Sequence, residues 1–123
     1  MLIARKPGLK YVNRVERLAY DFTDSMFTQD SAWHPLSLAA IIPANAKLVL
    51  LRVGASHASP GQCFRVSKLG QTSSVSVVNV VTQTPDVLNE QTALVECTGQ
   101  QIQYWATSGT FSGLRLQVLG WFL

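Results

Sequence analysis

The sequence has little charge and few of the side chains that carry out chemistry. Charged residues make up 14% of the 123 residues and hydrophobic residues 47%, with only two histidines and two cysteines. A chain of this size has a large surface for its volume, so this composition predicts apolar side chains on the outside. We expect part of that surface to be covered in an oligomer or a larger assembly.

Long hydrophobic runs are absent as well. A membrane-spanning helix needs about 20 consecutive apolar residues, whereas apolar runs such as residues 48–51 and 118–123 are far shorter, and Gly120 interrupts the second. The N-terminal stretch turns basic at Arg5 and has no apolar signal core before a cleavage site. We therefore expect a soluble chain that is neither exported nor inserted in a membrane.

Sequence motifs of catalysis are also missing. The chain has no HExxH, no GxSxG and no phosphate-binding GxxxxGK[ST] pattern. His34 stands in "SAWHPL", where we expect a packed or hydrogen-bonded strand residue, and His57 lies in "GASHASPG", where we expect an exposed loop. We therefore predict no enzymatic activity and no cofactor.

Acidic residues and cysteines do not form a recognisable metal site. Asp21, Asp24 and Asp30 in "DFTDSMFTQD" lack the dense Asx-Gly pattern of a calcium loop, so we expect turn-capping or outward-facing carboxylates. Cys63 and Cys97 lie in separate predicted strands without CxxC spacing. Buried thiols are favoured for this pair, and a disulfide stays open as the alternative.

Positive charge is concentrated at the N-terminus. Residues 1–17 carry a net charge of +4, and the remaining residues carry −1. The basic residues of this arm are Arg5, Lys6, Lys10, Arg14 and Arg17. A basic arm on a near-neutral body favours an acidic partner surface, although a solvated tail is the alternative. The strands lack the basic and aromatic interleaving of single-strand binders, so we do not expect a nucleic-acid partner.

From residue 18 onward, apolar residues mostly alternate with polar ones, as in β-strands. Gly, Pro, Ser and Asn turns separate roughly seven to nine short strands. We predict an all-β chain, with a basic arm over residues 1–17 and an antiparallel β-sandwich over 18–123. The sandwich is expected to be jelly-roll-like or immunoglobulin-like. The 4-3-4 spacing of Tyr11, Val15, Leu18 and Phe22 leaves a short helix within residues 9–20 as an alternative.

The sequence ends in "LRLQVLGWFL", whose only charge is Arg115. We predict that this last strand lies in the middle of a sheet, because an exposed end would carry polar residues. Trp121 and Phe122 are predicted to cover one end of the sandwich or to meet a neighbour. The residues predicted to face the core are Leu114, Leu116 and Val118.

The tryptophans leave two interpretations open. Trp33, Trp105 and Trp121, with Phe122 beside the last of them, are predicted either to pack in a core or interface or to stack on sugar rings. By strand alternation Trp105 lies on the face opposite Ile102, which favours an exposed position.

Four stretches of the chain resemble small β-sandwich proteins of tailed bacteriophage virions. They are "WHPLSLAAIIPANAKLVLLRV", "FRVSK", "QIQYWATS" and "LQVLGWFL", and the similarity extends over roughly residues 30–123. It rests on framework positions of strands and a turn rather than on catalytic residues. The matching positions are Trp33, Ile42, Pro43, Ala44, Ala46, Lys47, Ile102, Tyr104, Val118, Gly120 and Trp121.

The resemblance implies a structural part of a phage particle, assembled in the bacterial cytoplasm and located in the virion. Capsid decoration (cement) proteins of this kind are often homotrimers that stabilise the shell through contacts between subunits. The basic arm would then contact the major capsid protein or another virion protein. The alternative is a tail-associated or tail-fibre module that binds a host carbohydrate through Trp33, Trp105 or residues 55–61.

Overall fold

The computed structural model of the chain describes residues 8–15, 19–73 and 77–123. Within these ranges the backbone forms nine β-strands and one 3-10 turn, Asp24–Met26, and the predicted all-β fold is confirmed. The strands are β1 (Tyr11–Asn13), β2 (Phe22–Thr23), β3 (Trp33–Ser37), β4 (Leu48–Ser56), β5 (Cys63–Lys68), β6 (Val78–Val81), β7 (Asn89–Glu96), β8 (Gln101–Ala106) and β9 (Gly113–Phe122).

The strands form two antiparallel sheets. Sheet 1 has the order β1-β9-β4-β7, with β2 also paired to β9, and sheet 2 has the order β3-β8-β5-β6. With β1 and β2 taken as two halves of one strand, the first strand pairs with the last, β3 with β8, β4 with β7, and β5 with β6. This nested pairing is the jelly-roll topology, and it decides between the two sandwich folds that the sequence left open.

The core lies between the sheets and follows from strand alternation. In β4, Val49, Leu51 and Val53 are fully buried, and Phe64 and Ile102 from sheet 2 meet them from the other side. Each such side chain contributes about 1.5–3 kcal/mol through its removal from water. β-Branched and aromatic residues suit these positions because they pack well on a pleated surface.

Strand β9 lies in the middle of sheet 1, between β1 and β2 on one side and β4 on the other, as predicted. Its residues Leu114, Leu116 and Val118 are fully buried, which confirms the prediction that they face the core. The register then shifts, since Leu50 is opposite Gly120 while Leu51 is opposite Val118. The extra residue reverses the alternation beyond it.

The first strand is interrupted between its two halves. Strand β1 pairs with residues 120–122 and β2 with residues 115–116, so the chain leaves the ladder between them. Arg14 and Asp21 close this gap, with Arg14 Nη1 at 2.6 Å from Asp21 Oδ2. The same carboxylate oxygen accepts a 2.8 Å hydrogen bond from the backbone N–H of Val118. A side-chain pair thereby takes the place of a strand partner for β9; we name it the Arg14–Asp21 clasp.

The alternative of a helix within residues 9–20 is wrong for Tyr11–Asn13, which forms β1 because its backbone pairs with β9. The predicted boundary between arm and sandwich, at residues 17 and 18, lies outside the described residues. Among the described residues, no helix has the length and apolar character needed to cross a membrane.

Candidate interaction surfaces

The interior of the sandwich is filled with side chains. Phe27 packs edge-on against Phe64 and against Tyr104, with ring centroids 5.0 Å apart in both pairs. The Tyr104 hydroxyl accepts a 2.7 Å hydrogen bond from the backbone N–H of Thr28, which satisfies its polar end. The outer faces, edges and loops are therefore the places to look for function.

One half of the outer surface of sheet 1 is apolar. We call it the apolar face, and it consists of Tyr11, Leu48, Leu50, Leu94 and Phe122. Phe122 is directly opposite both Tyr11 and Leu48, and Leu50 is directly opposite Leu94. The exposed fractions of Leu94 and Tyr11 are 54% and 40%. A contiguous apolar surface that faces water marks an interaction site more often than scattered exposed leucines do.

Gly120 holds the aromatic end of the apolar face together. A Cβ atom at this position would lie 2.6 Å from the backbone oxygen of Val12 and would overlap the Tyr11 ring. The hydroxyl end of the Tyr11 ring therefore lies over the glycine, and the ring centroid is 5.1 Å from that of Phe122. The absence of a side chain at Gly120 is what lets β1 close on β9 here.

The other half of the outer surface of sheet 1 is polar and internally paired. The Tyr20 hydroxyl donates a 2.8 Å hydrogen bond to Glu90 Oε2, and this bond raises the pKa of Tyr20. Arg115 Nη1 lies 2.7 Å from Asp24 Oδ1. Gln117 donates through Nε2 to the backbone oxygen of Ala19 at 3.0 Å and is thereby covered. Apart from exposed Arg52 and Thr92, which are opposite each other, the polar side chains named here are engaged within the chain.

The outer face of sheet 2 carries a row of side chains across all four strands. Trp33 is opposite Trp105, Trp105 is opposite Arg65, and Arg65 is opposite Asn79. We call these residues the tryptophan-arginine row. The Arg65 guanidinium carbon lies 4.2 Å from the centroid of the Trp105 ring, a cation-π contact. Trp105 lies on the face of the sheet away from the inward Ile102, as predicted, but its side chain is half-buried rather than exposed.

The neighbouring part of this face is closed by the loop that follows β5. Gln103 points outward yet is 5% exposed, because residues 69–73 fold over it. Its Nε2 donates to Ser67 Oγ at 2.9 Å and to the backbone oxygen of Gln71, and its Oε1 accepts from the N–H of Gly70 at 3.2 Å. One amide side chain thus holds the loop against sheet 2.

A cleft of about 250 Å³ opens where β5 and β6 of sheet 2 approach β7 of sheet 1. Leu94 and Val78 supply apolar walls, and Lys68 and Glu96 supply a polar wall. These last two form an ion pair at 3.3 Å. Because Leu94 also belongs to the apolar face, the cleft continues that face around the edge of the sandwich.

The three aspartates considered as calcium ligands accept hydrogen bonds from backbone N–H groups at three separate places. Asp21 binds Arg14 and the N–H of Val118, and Asp24 accepts from the N–H of Leu114 at 3.1 Å. Asp30 accepts from the N–H of Ala32 at 3.1 Å. Within the ranges that the structure describes, no three His, Cys, Asp or Glu side chains are grouped to hold a metal ion.

The two histidines have structural contacts. His34 Nε2 lies 2.8 Å from Asp30 Oδ1, and the pKa of Asp30 is lowered chiefly by this hydrogen bond. The His34 ring also lies 5.6 Å from the Tyr104 ring. His57 is half-buried rather than exposed, because its ring meets Phe111 edge-on at 5.0 Å.

The cysteines are free thiols in the structure. Cys97 is buried, and burial raises the pKa of its thiol. Its Sγ donates to the backbone oxygen of Ala46 at 3.1 Å. Cys63 is half-buried at the start of β5.

The basic residues predicted to bind a partner are only partly described. Arg5, Lys6 and Arg17 lie outside the described residues. Arg14 is engaged inside the chain by the Arg14–Asp21 clasp. Lys10 is exposed, and its backbone is bonded to Leu123 in both directions, at 3.2 and 2.9 Å. The part of the arm from residue 10 to residue 14 therefore lies along β9.

The structure divides the four predicted aromatic site residues between the two sheets. Trp33 and Trp105 are adjacent on sheet 2, whereas Phe122 belongs to the apolar face of sheet 1. Trp121 packs against the core beside Val49 and is not part of either outer face. Sequence reasoning missed Arg65, although its place in "CFRVS", between two apolar residues of a predicted strand, marks it as outward-facing.

Known proteins resemble this chain in fold rather than in sequence. No protein-family model matches the chain, and no curated protein sequence matches it. A solved structure of the Tobacco streak virus coat protein is similar, with 13% sequence identity and a TM-score of 0.42, over 98% of this chain and 87% of that one. The assignment of the jelly roll rests on the strand order of this chain itself.

Proposed function

We propose that this chain is a non-enzymatic structural subunit of a virus particle, and specifically a bacteriophage capsid decoration protein. The observation that carries the proposal is the apolar face of sheet 1. On this face, large apolar side chains from β1, β9, β4 and β7 lie next to each other and are exposed to water. The jelly roll is an architecture of viral capsid domains as well as of lectins, so the fold is compatible with this function and does not by itself select it.

The apolar face suits docking on a protein surface. Leu50 and Leu94 form a directly opposed pair, and Tyr11 and Phe122 add two aromatic rings beside them. Aromatic and apolar side chains at the centre of a contact, ringed by polar groups, are typical of protein interfaces. Glu96 at the end of β7 and Lys47 before β4 are exposed polar residues at its margin.

Docking on a shell would stabilise the shell by mass action. A subunit that binds the assembled particle and not its separated parts lowers the free energy of the assembled state alone. Expansion of the particle or internal pressure must then break additional contacts. The apolar face is proposed to bind the major capsid protein, and the homotrimeric state that the sequence resemblance implies stays a prediction.

The basic arm is proposed to extend this contact to an acidic part of the shell. Lys10 lies at the end of β1 next to the apolar face, since its neighbour Tyr11 belongs to that face. Arg5, Lys6 and Arg17 are proposed to act with it. Because Tyr11–Asn13 pairs with β9, a truncation that tests the arm should end at residue 7.

Binding to shells of the encoding virus that have been assembled without this chain tests the proposal. We expect the purified wild-type chain to co-sediment with them, and Leu94→Lys to lower its affinity by at least about tenfold, because a charge is placed in the apolar face. The matched control is Thr92→Lys, since Thr92 is exposed on the same side of β7 but outside the apolar face. Removal of residues 1–7 should weaken binding and leave the thermal unfolding midpoint unchanged.

Two results would contradict the proposal. One is a wild-type chain that does not co-sediment with the shells at any concentration tested. The other is Leu94→Lys and Thr92→Lys binding with the same affinity, because the apolar face would then have no part in docking.

Carbohydrate binding is the second candidate function, as in a tail-associated module. It is favoured by the adjacent Trp33 and Trp105 on the outer face of sheet 2. Against it, the guanidinium of Arg65 covers one side of the Trp105 ring. A glycan array decides: Trp105→Ala should abolish a glycan signal that removal of residues 1–7 leaves intact.

A further inference from the structure

The guanidinium of Arg65 has no acidic partner within the described part of the chain. Its Nε atom is shielded from solvent and has no hydrogen-bond acceptor among the described residues, and its guanidinium carbon lies 4.2 Å from the centroid of the Trp105 ring. The basic residues that do form ion pairs among the described residues are Arg14, His34, Lys68 and Arg115. A planar guanidinium with unused donors matches a carboxylate, because it can donate two parallel hydrogen bonds.

The surroundings of Arg65 are typical of the centre of a protein interface. Trp33 and Trp105 extend the row on one side, and exposed Asn79 follows on the other. Arginine and tryptophan are the residue types that most often dominate binding energy at such centres. Trp33, Arg65 and Trp105 are half-buried and Asn79 is exposed, so part of each side chain can contact an approaching protein segment.

The same chain carries a complementary segment, the turn at residues 84–88. The Asp86 side chain makes no hydrogen bond or ion pair within the described residues, and Val87 and Leu88 beside it are 54% and 37% exposed. The turn itself is fixed, since the N–H of Asp86 donates to the backbone oxygen of His57 at 2.8 Å and that of Val87 to Thr84 at 3.2 Å. An unpaired carboxylate is thus presented next to two apolar side chains on an ordered turn.

We propose that the tryptophan-arginine row of one copy binds the 84–88 turn of a second copy. Asp86 would accept hydrogen bonds from the Arg65 guanidinium, and Val87 and Leu88 would pack against the exposed parts of Trp33 and Trp105. The contact supplies a counter-charge to Arg65 and covers apolar side chains on both partners. The row lies on the outer face of sheet 2 and the apolar face belongs to sheet 1, so this contact goes beyond the docking proposed above.

Charge complementarity and position favour a second copy as the partner. Among the described residues, the row presents Arg65, a cation without an ion pair, on an aromatic surface. The turn presents Asp86, an anion without an ion pair, beside apolar side chains. They also lie at the same end of sheet 2, because Val81 leads into the turn and is only two residues from Asn79 of the row. Copies of the chain can therefore exchange turn and row, either reciprocally about a two-fold axis or around a closed ring such as the predicted homotrimer.

A charge reversal and its compensation test the contact in the full-length chain. Sedimentation equilibrium and native mass spectrometry should show an oligomer for wild type. Arg65→Glu and Asp86→Lys should each weaken association about 100-fold. The combined variant Arg65→Glu with Asp86→Lys should recover most of that loss. Asp86→Asn is added because asparagine tolerates the left-handed backbone at this position, where φ is 58°; it should weaken association without affecting folding.

The possible outcomes separate this contact from other occupants of the row. A wild-type chain that stays monomeric, or an oligomer that neither reversal affects, overturns the proposal. An oligomer sensitive to Arg65→Glu but not to the Asp86 variants also overturns it, and indicates a different acidic ligand at the row. Leu94→Lys should leave self-association unchanged, so failure here and failure of shell docking are distinguishable.

Discussion

The outer faces of the two sheets differ in both their side chains and their covering. Sheet 1 has an uncovered apolar half, where Leu94 is 54% exposed, and a polar half whose side chains pair with each other. Sheet 2 has an aromatic row with an unpaired arginine and a region closed by its own loop. The two outer faces of a jelly roll can therefore differ in this way, since the side chains of each face vary without changing the shared core.

The largest loss of stability is expected from breaking the Arg14–Asp21 clasp on sheet 1. Asp21→Ala leaves the Arg14 guanidinium without its carboxylate partner and the N–H of Val118 without its acceptor. We expect a loss of about 2–3 kcal/mol in the free energy of unfolding. Urea denaturation measures this loss. Glu96→Ala, which breaks the exposed ion pair with Lys68, is the control and should change stability by less than about 1 kcal/mol.

A smaller effect is expected on sheet 2 from Gln103→Ala, which removes two hydrogen bonds between β8 and the loop over it and a third to Ser67 of β5. We expect a loss of about 1–2 kcal/mol, because loop 69–73 can move away and let water reach Ser67. Hydrogen exchange should show faster exchange at the Gly70 amide, with the amides of β9 unchanged. Protection at Gly70 equal to that in wild type would show that the loop is held by something else.

The smallest effect is expected on the pKa of Asp30, at the edge of sheet 2. The hydrogen bond from His34 lowers the pKa of Asp30. A carboxyl group with a lowered pKa in the folded state stabilises the fold above its unfolded pKa, and this stabilisation is lost as pH falls through the folded pKa. His34→Ala should therefore raise the pKa of Asp30 toward its ordinary value. Carboxyl NMR titration measures this, and an unchanged pKa would contradict the assigned cause.

Much of the fold could be predicted from the sequence because strand alternation is local information. The inward positions of Leu114, Leu116 and Val118 and the outward position of Trp105 follow from a period of two. The alternation fails at the end of β9, where the register shift reverses it. Trp121 therefore packs inward while Phe122 faces out, and no residue type in "LGWFL" marks that shift.

The candidate sites could be predicted less well because they depend on contacts between distant segments. The Arg14–Asp21 clasp engages one of the predicted arm cations, since two halves of an interrupted strand return to the same partner strand. The apolar face combines Tyr11 with Leu48 and Leu94, which come from three parts of the chain. Strand composition alone does not show which strands become neighbours.

The central position of β9 has a consequence for how the chain is made. Sheet 1 lacks the strand that joins β4 to β1 and β2 until residues 113–122 have left the ribosome. Until then the inner side chains of β4, including Leu51 and Val53, lack the neighbours beside which they are buried. Folding should thus be late and slow, as in other proteins with many contacts between distant parts of the sequence. Slower synthesis or chaperone supply should raise the soluble yield.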